Sequence, residues 1–205
     1  MSDGMLLIGA GGHARACIEA IESRGLAIRG LIDRAELVGQ QVLGYPILGV
    51  DDDLPNLLSN GAKALVAVGQ IRSPDARIRL FRRLVELDAT MPVIVARSAV
   101  VSRHATIGAG TIVMHGAIVN AVADVGKNVI VNSQALVEHD AKVGDHCHIA
   151  TGAIVNGAAR IGEGSFIGSG VVIGHGVTIG ARCVIGAGHV VLKDCADHTV
   201  MTKNP

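Results

Sequence analysis

Aliphatic residues recur at every sixth position through the second half of the chain. Stepping by six from Val95, each position up to Val191 is Val or Ile, without a break over 17 positions. A mostly small residue comes four places after each aliphatic, and glycine often follows the aliphatic directly, as at Gly108, Gly126 and Gly144. A period of six matches neither an α-helix nor an alternating strand. The pattern therefore predicts stacked coils of 18 residues with three short faces, held together by backbone ladders.

Each position of this hexad has an expected role. The aliphatic side chain is expected to point inward, and the small residue to let the chain turn. The glycines after the aliphatic are expected to occupy strained corners. Three of the four cysteines, Cys147, Cys183 and Cys195, stand at the small position, so we interpret them as small apolar residues. Residues 93–205 are thus predicted to form an all-β domain.

The first 92 residues show a different pattern, in which short apolar runs alternate with helical periodicity. Strands are predicted at residues 5–10, 28–32 and 65–68, and helices at residues 14–23 and 75–87. Such an alternation favours a small parallel α/β domain over residues 1–92, equivalent to half of a Rossmann-type sheet.

A glycine-rich turn lies between the first predicted strand and the first predicted helix. Residues 9–14 read Gly-Ala-Gly-Gly-His-Ala and fit the fingerprint G-x-G-x-x-A, with Asp33 nineteen residues beyond Ala14. Such a turn can hold a pyrophosphate at a helix N-terminus, and the acidic residue can accept hydrogen bonds from a ribose or a base. A plain strand-to-helix turn is the alternative. The domain is too short for a dinucleotide, so a mononucleotide or a nucleotide-sugar is expected.

Composition excludes several classes of function. Lys and Arg total 18, as do Asp and Glu, so no net positive charge attracts nucleic acid or a membrane surface. No uncharged apolar run approaches the roughly 18 residues of a membrane span. The N-terminus lacks the basic segment of a secretory signal, and the cysteines have no CxxC spacing. We expect a cytoplasmic protein.

One segment of the repeat region carries residues suited to acid–base chemistry. Glu138, His139 and Asp140 place an imidazole between two carboxylates. A positioned histidine can take the proton of a nucleophile as general base, and a carboxylate next to it fixes its tautomer. The simpler alternative is that His139 is a solvated side chain without a catalytic role. A metal cluster is a further alternative, formed by His139, Asp140, Asp145, His146 and His148.

The hexad resembles the left-handed parallel β-helix of the hexapeptide acyltransferases. Both halves together resemble a bacterial family of nucleotide-amino-sugar and sialic-acid acetyltransferases, which act on sugars for surface glycans. The matching segments are residues 9–14, 44–49, 66–69, 138–140 and 148–153.

This resemblance implies a homotrimer with active sites between adjacent β-helices. Acetyl-CoA would be the cosubstrate and would lie along the β-helix, and no metal is expected. The implied reaction is N-acetylation of a nucleotide-linked amino or dideoxy-amino sugar. O-acetylation of sialic acid or another sugar is the alternative, followed by a zinc-dependent hydrolase or a non-catalytic binding protein.

The resemblance also implies roles for individual residues. His139 matches the general base and Asp140 the acid that orients it. His148 matches a histidine near the acetyl group, and Gly152 lies in the segment whose backbone meets the thioester. The matches to the nucleotide-sugar site are Gly11, Gly12 and His13 for the phosphates and Asp33 for the nucleoside.

Overall fold

The computed structural model describes residues 4–58 and 62–202. Its N-terminal part is a five-stranded sheet in the order β3-β4-β2-β1-β5. The strands are β1 (Met5–Ile8), β2 (Ile28–Ile32), β3 (Gln41–Val42), β4 (Tyr45–Gly49) and β5 (Ala64–Val66). The helices are α1 (Gly12–Glu22), α2 (Leu54–Leu57) and α3 (Asp75–Glu86), with single 3-10 turns at Ala35–Leu37 and Asp51–Asp53.

The predicted parallel sheet is present but carries an additional antiparallel edge. Strands β4, β2, β1 and β5 pair in parallel, whereas β3 pairs antiparallel with β4. The hairpin turn between them places Leu43 at φ 48° and Gly44 at φ 85°. Two successive residues with positive φ match the twist of a two-residue hairpin. This hairpin was not predicted from the sequence, because leucine is an unusual residue at such a position.

Strand β1 is apolar on both faces because helices cover both sides of the sheet. Leu7 packs in one core with α1, whereas Leu6 and Ile8 pack in another with Leu54 and α3. The first of these cores also contains residues of the repeat region, so the α/β part lies directly against the β-helix.

The remaining strands are two residues long and, apart from the last, follow one another every six residues. In chain order they are β6 (Ile94–Val95), β7 (Val100–Val101), β8 (Thr106–Ile107), β9 (Ile112–Val113), β10 (Ile118–Val119), β11 (Asp124–Val125), β12 (Ile130–Val131), β13 (Leu136–Val137), β14 (Lys142–Val143), β15 (His148–Ile149), β16 (Ile154–Val155), β17 (Arg160–Ile161), β18 (Phe166–Ile167), β19 (Val172–Ile173), β20 (Thr178–Ile179), β21 (Val184–Ile185), β22 (Val190–Val191) and β23 (Val200–Met201).

These strands form the three parallel sheets of a left-handed β-helix, as the hexad predicts. With one exception at the C-terminal end, each strand pairs with the strand 18 residues away, for example Val119 with Val137 and Val137 with Val155. The second residue of each strand points inward, and so does the small residue four places later. One continuous aliphatic core therefore runs along the axis.

The first residue of each strand points outward and gives the three faces different characters. The covered face carries Ile94, Ile112, Ile130, His148, Phe166, Val184 and Val200, and its first three residues share a core with α1. The polar face carries Thr106, Asp124, Lys142, Arg160 and Thr178. The aliphatic face carries Val100, Ile118, Leu136, Ile154, Val172 and Val190.

The glycines after the inward aliphatic have another role than the sequence analysis assigned. Gly108, Gly126, Gly144 and Gly162 do not have positive φ, but a Cβ on each would overlap the next coil. On Gly108, for instance, it would lie 2.6 Å from the carbonyl carbon of Gly126. The left-handed turn falls two residues later, where Asn, Asp, His and others stand besides glycine. These glycines serve close packing rather than backbone strain.

Among residues 4–58 and 62–202, no helix is long and apolar enough to cross a membrane.

Close coil packing gives a test of stability. Gly162→Ala should lower the free energy of unfolding by at least about 2 kcal/mol, because its methyl group would overlap the backbone of the next coil. Gly170→Asn is the matched control, since Gly170 has φ 64° and open space around it. Denaturant unfolding of both variants is the measurement. Equal stability of the two variants would contradict the packing role.

Candidate active site

His139 and Asp140 lie at one corner of the β-helix, between the aliphatic face and the polar face. The corner follows β13, and Asp140 occupies its left-handed position with φ 61°. Aspartate tolerates this conformation better than most residues. The carboxylate then turns back on its neighbour, and Asp140 Oδ2 lies 2.8 Å from His139 Nδ1. The adjacent pair seen in the sequence is therefore in contact.

This contact fixes how the imidazole can act. A carboxylate accepts hydrogen bonds, so Nδ1 carries the proton and Nε2 keeps its lone pair. The hydrogen bond that His139 donates to Asp140 raises the pKa of His139, with smaller contributions from the charges of Asp140 and Glu138. Glu138 Oε2 also accepts the backbone N–H of His139 at 3.1 Å and the amide of Asn120 at 2.9 Å. The corner is thus anchored from both sides of the histidine.

The next two coils place Gly157 and His175 on the same corner, 18 and 36 residues after His139. A Cβ on Gly157 would lie 2.8 Å from His139 Nε2 and 3.1 Å from His175 Nδ1. The two imidazole rings have centroids 6.5 Å apart. Among the described residues, the N–H of Gly157 has no hydrogen-bond partner. The 18-residue period of the coils places these residues on one corner, but neither Gly157 nor His175 was predicted as a site residue from the sequence.

His148 lies elsewhere, on the covered face. Only 7% of the residue is exposed, and both ring nitrogens are engaged. Nδ1 donates to the carbonyl oxygen of Gln70 at 2.7 Å, and Nε2 accepts from Asn132 Nδ2 at 3.2 Å. Burial lowers the pKa of His148 to about 4, so the ring is neutral. In this chain the histidine joins the two halves of the protein.

Gly152 lies at the corner between the covered face and the aliphatic face. Its φ is 65°, and its N–H already donates to the carbonyl oxygen of Ser133 at 3.0 Å. At the corner of His139, by contrast, the N–H of Gly157 has no partner in the described chain. Gly152 and His148 therefore lie away from the corner that carries His139 in the same chain.

The glycine turn joins β1 to α1. Gly9 is the glycine that the backbone requires, because its φ is 114° and a Cβ would lie 2.6 Å from a methyl carbon of Val68. Gly11 and Gly12 are exposed, and a Cβ on either would meet nothing within 4 Å. The open space at the start of α1 leaves room for a ligand.

The ring of His13 turns away from solvent toward the β-helix, with its centroid 6.3 Å from that of His148. Burial, together with the charge of Arg77, lowers the pKa of His13 to about 3. The neutral ring offers no positive charge to a phosphate, so an anion at this position would meet backbone N–H groups.

A cavity of about 540 Å³ opens beside the turn, at the carboxyl ends of the parallel strands. Gly9, Asp33, Asp51, Val68 and Arg79 are among its lining residues. Asp33 Oδ2 accepts the N–H of Ala10 at 2.6 Å, which ties the glycine turn to the end of β2. Ligands of open α/β sheets bind at this edge.

The metal alternative is not supported by the geometry. Across the described parts of the chain, no three His, Cys, Asp or Glu residues gather as a metal site would require. His139 and Asp140 share one corner, Asp145 and His146 another, and His148 lies on the covered face.

Two parts of the chain match known families. Residues 5–84 match the PglD N-terminal domain, and residues 158–193 match the bacterial transferase hexapeptide family of six repeats. A comparison with curated protein sequences gave no significant match. The fold and the histidine corner thus define a hexapeptide-repeat transferase with a PglD-type domain.

Solved structures extend the likeness to almost the entire chain. A perosamine N-acetyltransferase variant from Caulobacter crescentus, in complex with CoA and GDP-perosamine, is 34% identical over 96% of this chain and 92% of that chain, with a TM-score of 0.90. The acetyltransferase domain of PglB from Neisseria gonorrhoeae, in complex with acetyl coenzyme A, is 33% identical over 100% and 98%, with a TM-score of 0.91. WeeI from Acinetobacter baumannii shares the fold, at 23% identity and a TM-score of 0.87 over 98% and 97%. The chain belongs to the family of hexapeptide-repeat sugar acetyltransferases with a PglD-type N-terminal domain, which confirms the resemblance drawn from its sequence.

The buried histidines predict how stability depends on pH. His148 has a pKa of about 4 in the folded protein and 6.5 as its ordinary value, so the unfolded chain takes up its proton first. Its contribution is complete above about pH 6.5 and is lost as the pH falls toward 4. In His148→Gln, the pH slope of the unfolding free energy should decrease by about 1 kcal/mol per pH unit between pH 6 and 5. Urea unfolding at several pH values measures the slope, and an unchanged slope would be evidence against the buried neutral ring.

Proposed function

We propose that this protein transfers the acetyl group of acetyl-CoA to the amino group of a nucleotide-linked amino sugar. The observation that carries the proposal is the His139–Asp140 pair next to the free N–H of Gly157, on a β-helix that bears a nucleotide-type α/β domain. The relatives with bound CoA, acetyl-CoA and GDP-perosamine support this substrate class.

His139 acts as the general base. Asp140 holds the proton on Nδ1, so Nε2 is free to accept a proton from the attacking amine. The amine nitrogen forms a bond to the thioester carbonyl carbon, and the carbonyl electron pair moves to the oxygen. The tetrahedral intermediate then collapses, the C–S bond breaks, and the CoA sulfur takes up the proton from the imidazolium. No covalent enzyme intermediate is needed.

Gly157 supplies a donor for the oxyanion. Its N–H is free of partners in the described chain and lies beside the imidazole. An amide held by a rigid coil needs no reorganisation when negative charge develops on the carbonyl oxygen. This role replaces the one that the sequence analysis gave to Gly152.

The acceptor binds in the cavity of the α/β domain. The exposed N–H groups of Gly11 and Gly12 at the start of α1 suit the diphosphate, since a helix N-terminus favours anions. Asp33 and the neighbouring carboxylates suit the hydroxyl and N–H groups of the nucleoside. His13 contributes its backbone rather than its buried ring.

One chain alone does not form the complete site. The α/β domain lies on the covered face, whereas His139 lies at the opposite corner of the three-sided β-helix. The aliphatic face next to this corner carries six outward Val, Ile or Leu residues, and Val100 and Val190 are 60% and 63% exposed. A surface of this kind is expected to be covered by protein. We propose a homotrimer in which this face packs against the neighbouring chain and brings its nucleotide-sugar to His139.

We assign the protein to the cytoplasm, where acetyl-CoA and nucleotide sugars are made. The cysteines support this assignment, because all four are free thiols in the structure.

The acceptor assay tests the proposed reaction. The purified protein is incubated with acetyl-CoA and amino sugars linked to GDP, UDP, dTDP or CMP, and release of the CoA thiol is followed. At least one amino sugar should be acetylated. Release with sialic acid or other hydroxyl acceptors alone would favour O-acetylation and would overturn the proposal.

Replacement of the base should lower kcat without weakening the binding of acetyl-CoA. His139→Asn cannot accept a proton at neutral pH, so kcat should fall by about 10²-fold or more while the Kd of acetyl-CoA stays within a few-fold. His115→Asn, at the equivalent turn position of another corner, is the control and should keep wild-type kcat. A folded His139→Asn enzyme with wild-type kcat would exclude the histidine as base.

The pH profile separates the role of Asp140 from that of His139. The base is active when neutral, so kcat/KM should rise as the pH passes through the raised pKa of His139. Asp140→Asn removes the main cause of that raised pKa. Its rising limb should move to lower pH and its plateau should be lower than in the wild type. A limb at the wild-type position would show that Asp140 does not tune the base.

Light scattering tests the trimer. The wild-type mass should be three times the 21.0 kDa of one chain. Ile118→Asp on the aliphatic face should dissociate the assembly and abolish turnover, because a carboxylate would be buried at the interface. Thr178→Asp on the polar face is the control and should remain trimeric. A monomeric wild type with full activity would contradict the shared site.

A further inference from the structure

The seam between the α/β domain and the β-helix contains a buried positive charge without an anionic partner. Arg77 of α3 is 1% exposed. Its guanidinium donates to the carbonyl oxygens of Val66 and Val68 at 3.2 Å and 2.6 Å. It also donates to the carbonyl oxygen and Oδ1 of Asn128 at 2.8 Å and 2.6 Å. All four acceptors are neutral, and no carboxylate of the described chain pairs with Arg77.

An arrangement of this kind is unfavourable in the free protein. Taking a cation out of water costs several kcal/mol, which neutral carbonyl groups offset only in part. The Nε atom of Arg77 is buried and has no hydrogen-bond partner in the described chain, so one donor of the guanidinium is also unsatisfied. Most buried charges in proteins are paired, so the missing anion calls for a physical explanation.

Arg77 lies directly behind the wall of the nucleotide cavity. The carbonyl group of Val68 accepts its shortest backbone hydrogen bond, and Val68 itself lines the cavity beside Gly9. The cavity runs along the edge of the sheet, whose strand order is β4-β2-β1-β5, so one end lies near β4 and β2 and the other near β1 and β5. The carboxylates that line the cavity follow β2 and β4, whereas Gly9 and Val68 follow β1 and β5.

The two ends therefore differ in charge. The end near β2 and β4 holds Asp33, Glu36, Asp51 and Asp52, together with Arg34. The end near β1 and β5 adjoins the glycine turn that leads into α1, whose N-terminal dipole is positive, and the Arg77 charge lies behind this end. Arg79 of α3 also lines the cavity. The Arg77 charge is the buried one, so it acts through a region of low dielectric.

We propose that Arg77 is the buried counter-charge for the diphosphate of the nucleotide-sugar. It acts through the wall of the cavity without touching the ligand, so it is a positioning residue. It fixes the orientation of the acceptor, with the diphosphate at the glycine turn and the nucleoside toward the carboxylates. This inference rests on the proposed function of the same cavity.

Removal of Arg77 is a poor test, because four backbone and side-chain acceptors would lose their donor and the protein would be at risk of unfolding. The charge can be neutralised in place by Asn128→Asp. Asn128 has φ 52°, which aspartate tolerates, and its Oδ1 already accepts from Arg77. Asn128→Gly is the matched control, since it removes the same side chain at a glycine-compatible φ and adds no charge.

Calorimetric titration with GDP, GMP, UDP and UMP at pH 8.5 measures the effect on the intact protein. This pH lies above the ordinary pKa of His146, whose Nδ1 is 2.9 Å from Asn128 Nδ2, and keeps that ring neutral. Asn128→Asp should weaken binding of the diphosphate by about tenfold or more and that of the monophosphate by a smaller factor. Asn128→Gly should change both by the same small factor. The Kd of acetyl-CoA and the thermal transition report that each variant is folded.

Two results would overturn the inference, and they are distinguishable. If the wild type binds the diphosphates but folded Asn128→Asp binds diphosphate and monophosphate with an unchanged ratio, Arg77 is only structural. If the wild type binds none of the four nucleotides, the proposed nucleotide site fails and this inference fails with it. An Asn128→Asp protein that does not fold would also contradict it, because a paired Arg77 should be at least as stable as an unpaired one.

Discussion

At the turn that follows the polar face, successive coils of the β-helix stand so close that no side chain fits at the residue after the inward aliphatic, as at Gly108 and Gly126. The backbone ladders set this spacing, and the glycines at those positions allow it. As a result, a residue and its counterpart 18 positions later lie at a fixed distance and orientation on neighbouring coils. The corner of His139, Gly157 and His175 exists because of this relation. Groups on such a stack are held in place before any ligand binds, which is what a positioned base and an oxyanion donor need.

The same regular stack also has to carry an irregular domain, and the seam between them shows how. Outward isoleucines of the covered face extend the core of α1, so apolar side chains make up this part of the contact between the two halves. The specific contacts are polar, with His148 joined to Gln70 and Arg77 joined to Asn128. Hydrogen bonds of buried groups penalise any other relative placement, because a shift would leave them unpaired. The cavity of the α/β domain is thereby held in a fixed orientation to the β-helix.

The fold of the repeat region could be predicted from the sequence, because each hexad of the repeat corresponds to one face of a coil. Inward aliphatic residues recur every six positions, a period that neither an α-helix nor an alternating strand has. The sequence did not predict the hairpin at Leu43, whose backbone lies outside the usual preferences of leucine. The adjacent His139 and Asp140 were predictable as a pair, and the structure places them in contact. The burial of His148 was not, since it depends on a carbonyl group 78 residues away, and no local pattern records such a contact.

The three faces support our proposal that a single chain does not form the complete active site. One face is occupied by its own α/β domain, and one is polar and suits solvent. The third is a column of aliphatic side chains, of which Val100, Ile118 and Val190 are exposed in the described chain. His139 lies at the edge of this third face, whereas the cavity that we propose for the nucleotide belongs to the domain on the first. A rigid β-helix cannot bend to bring the two together. In the trimer that we propose, burial of the aliphatic column and assembly of the active site are therefore one event, and the hydrophobic contact that holds the chains together also joins base and acceptor.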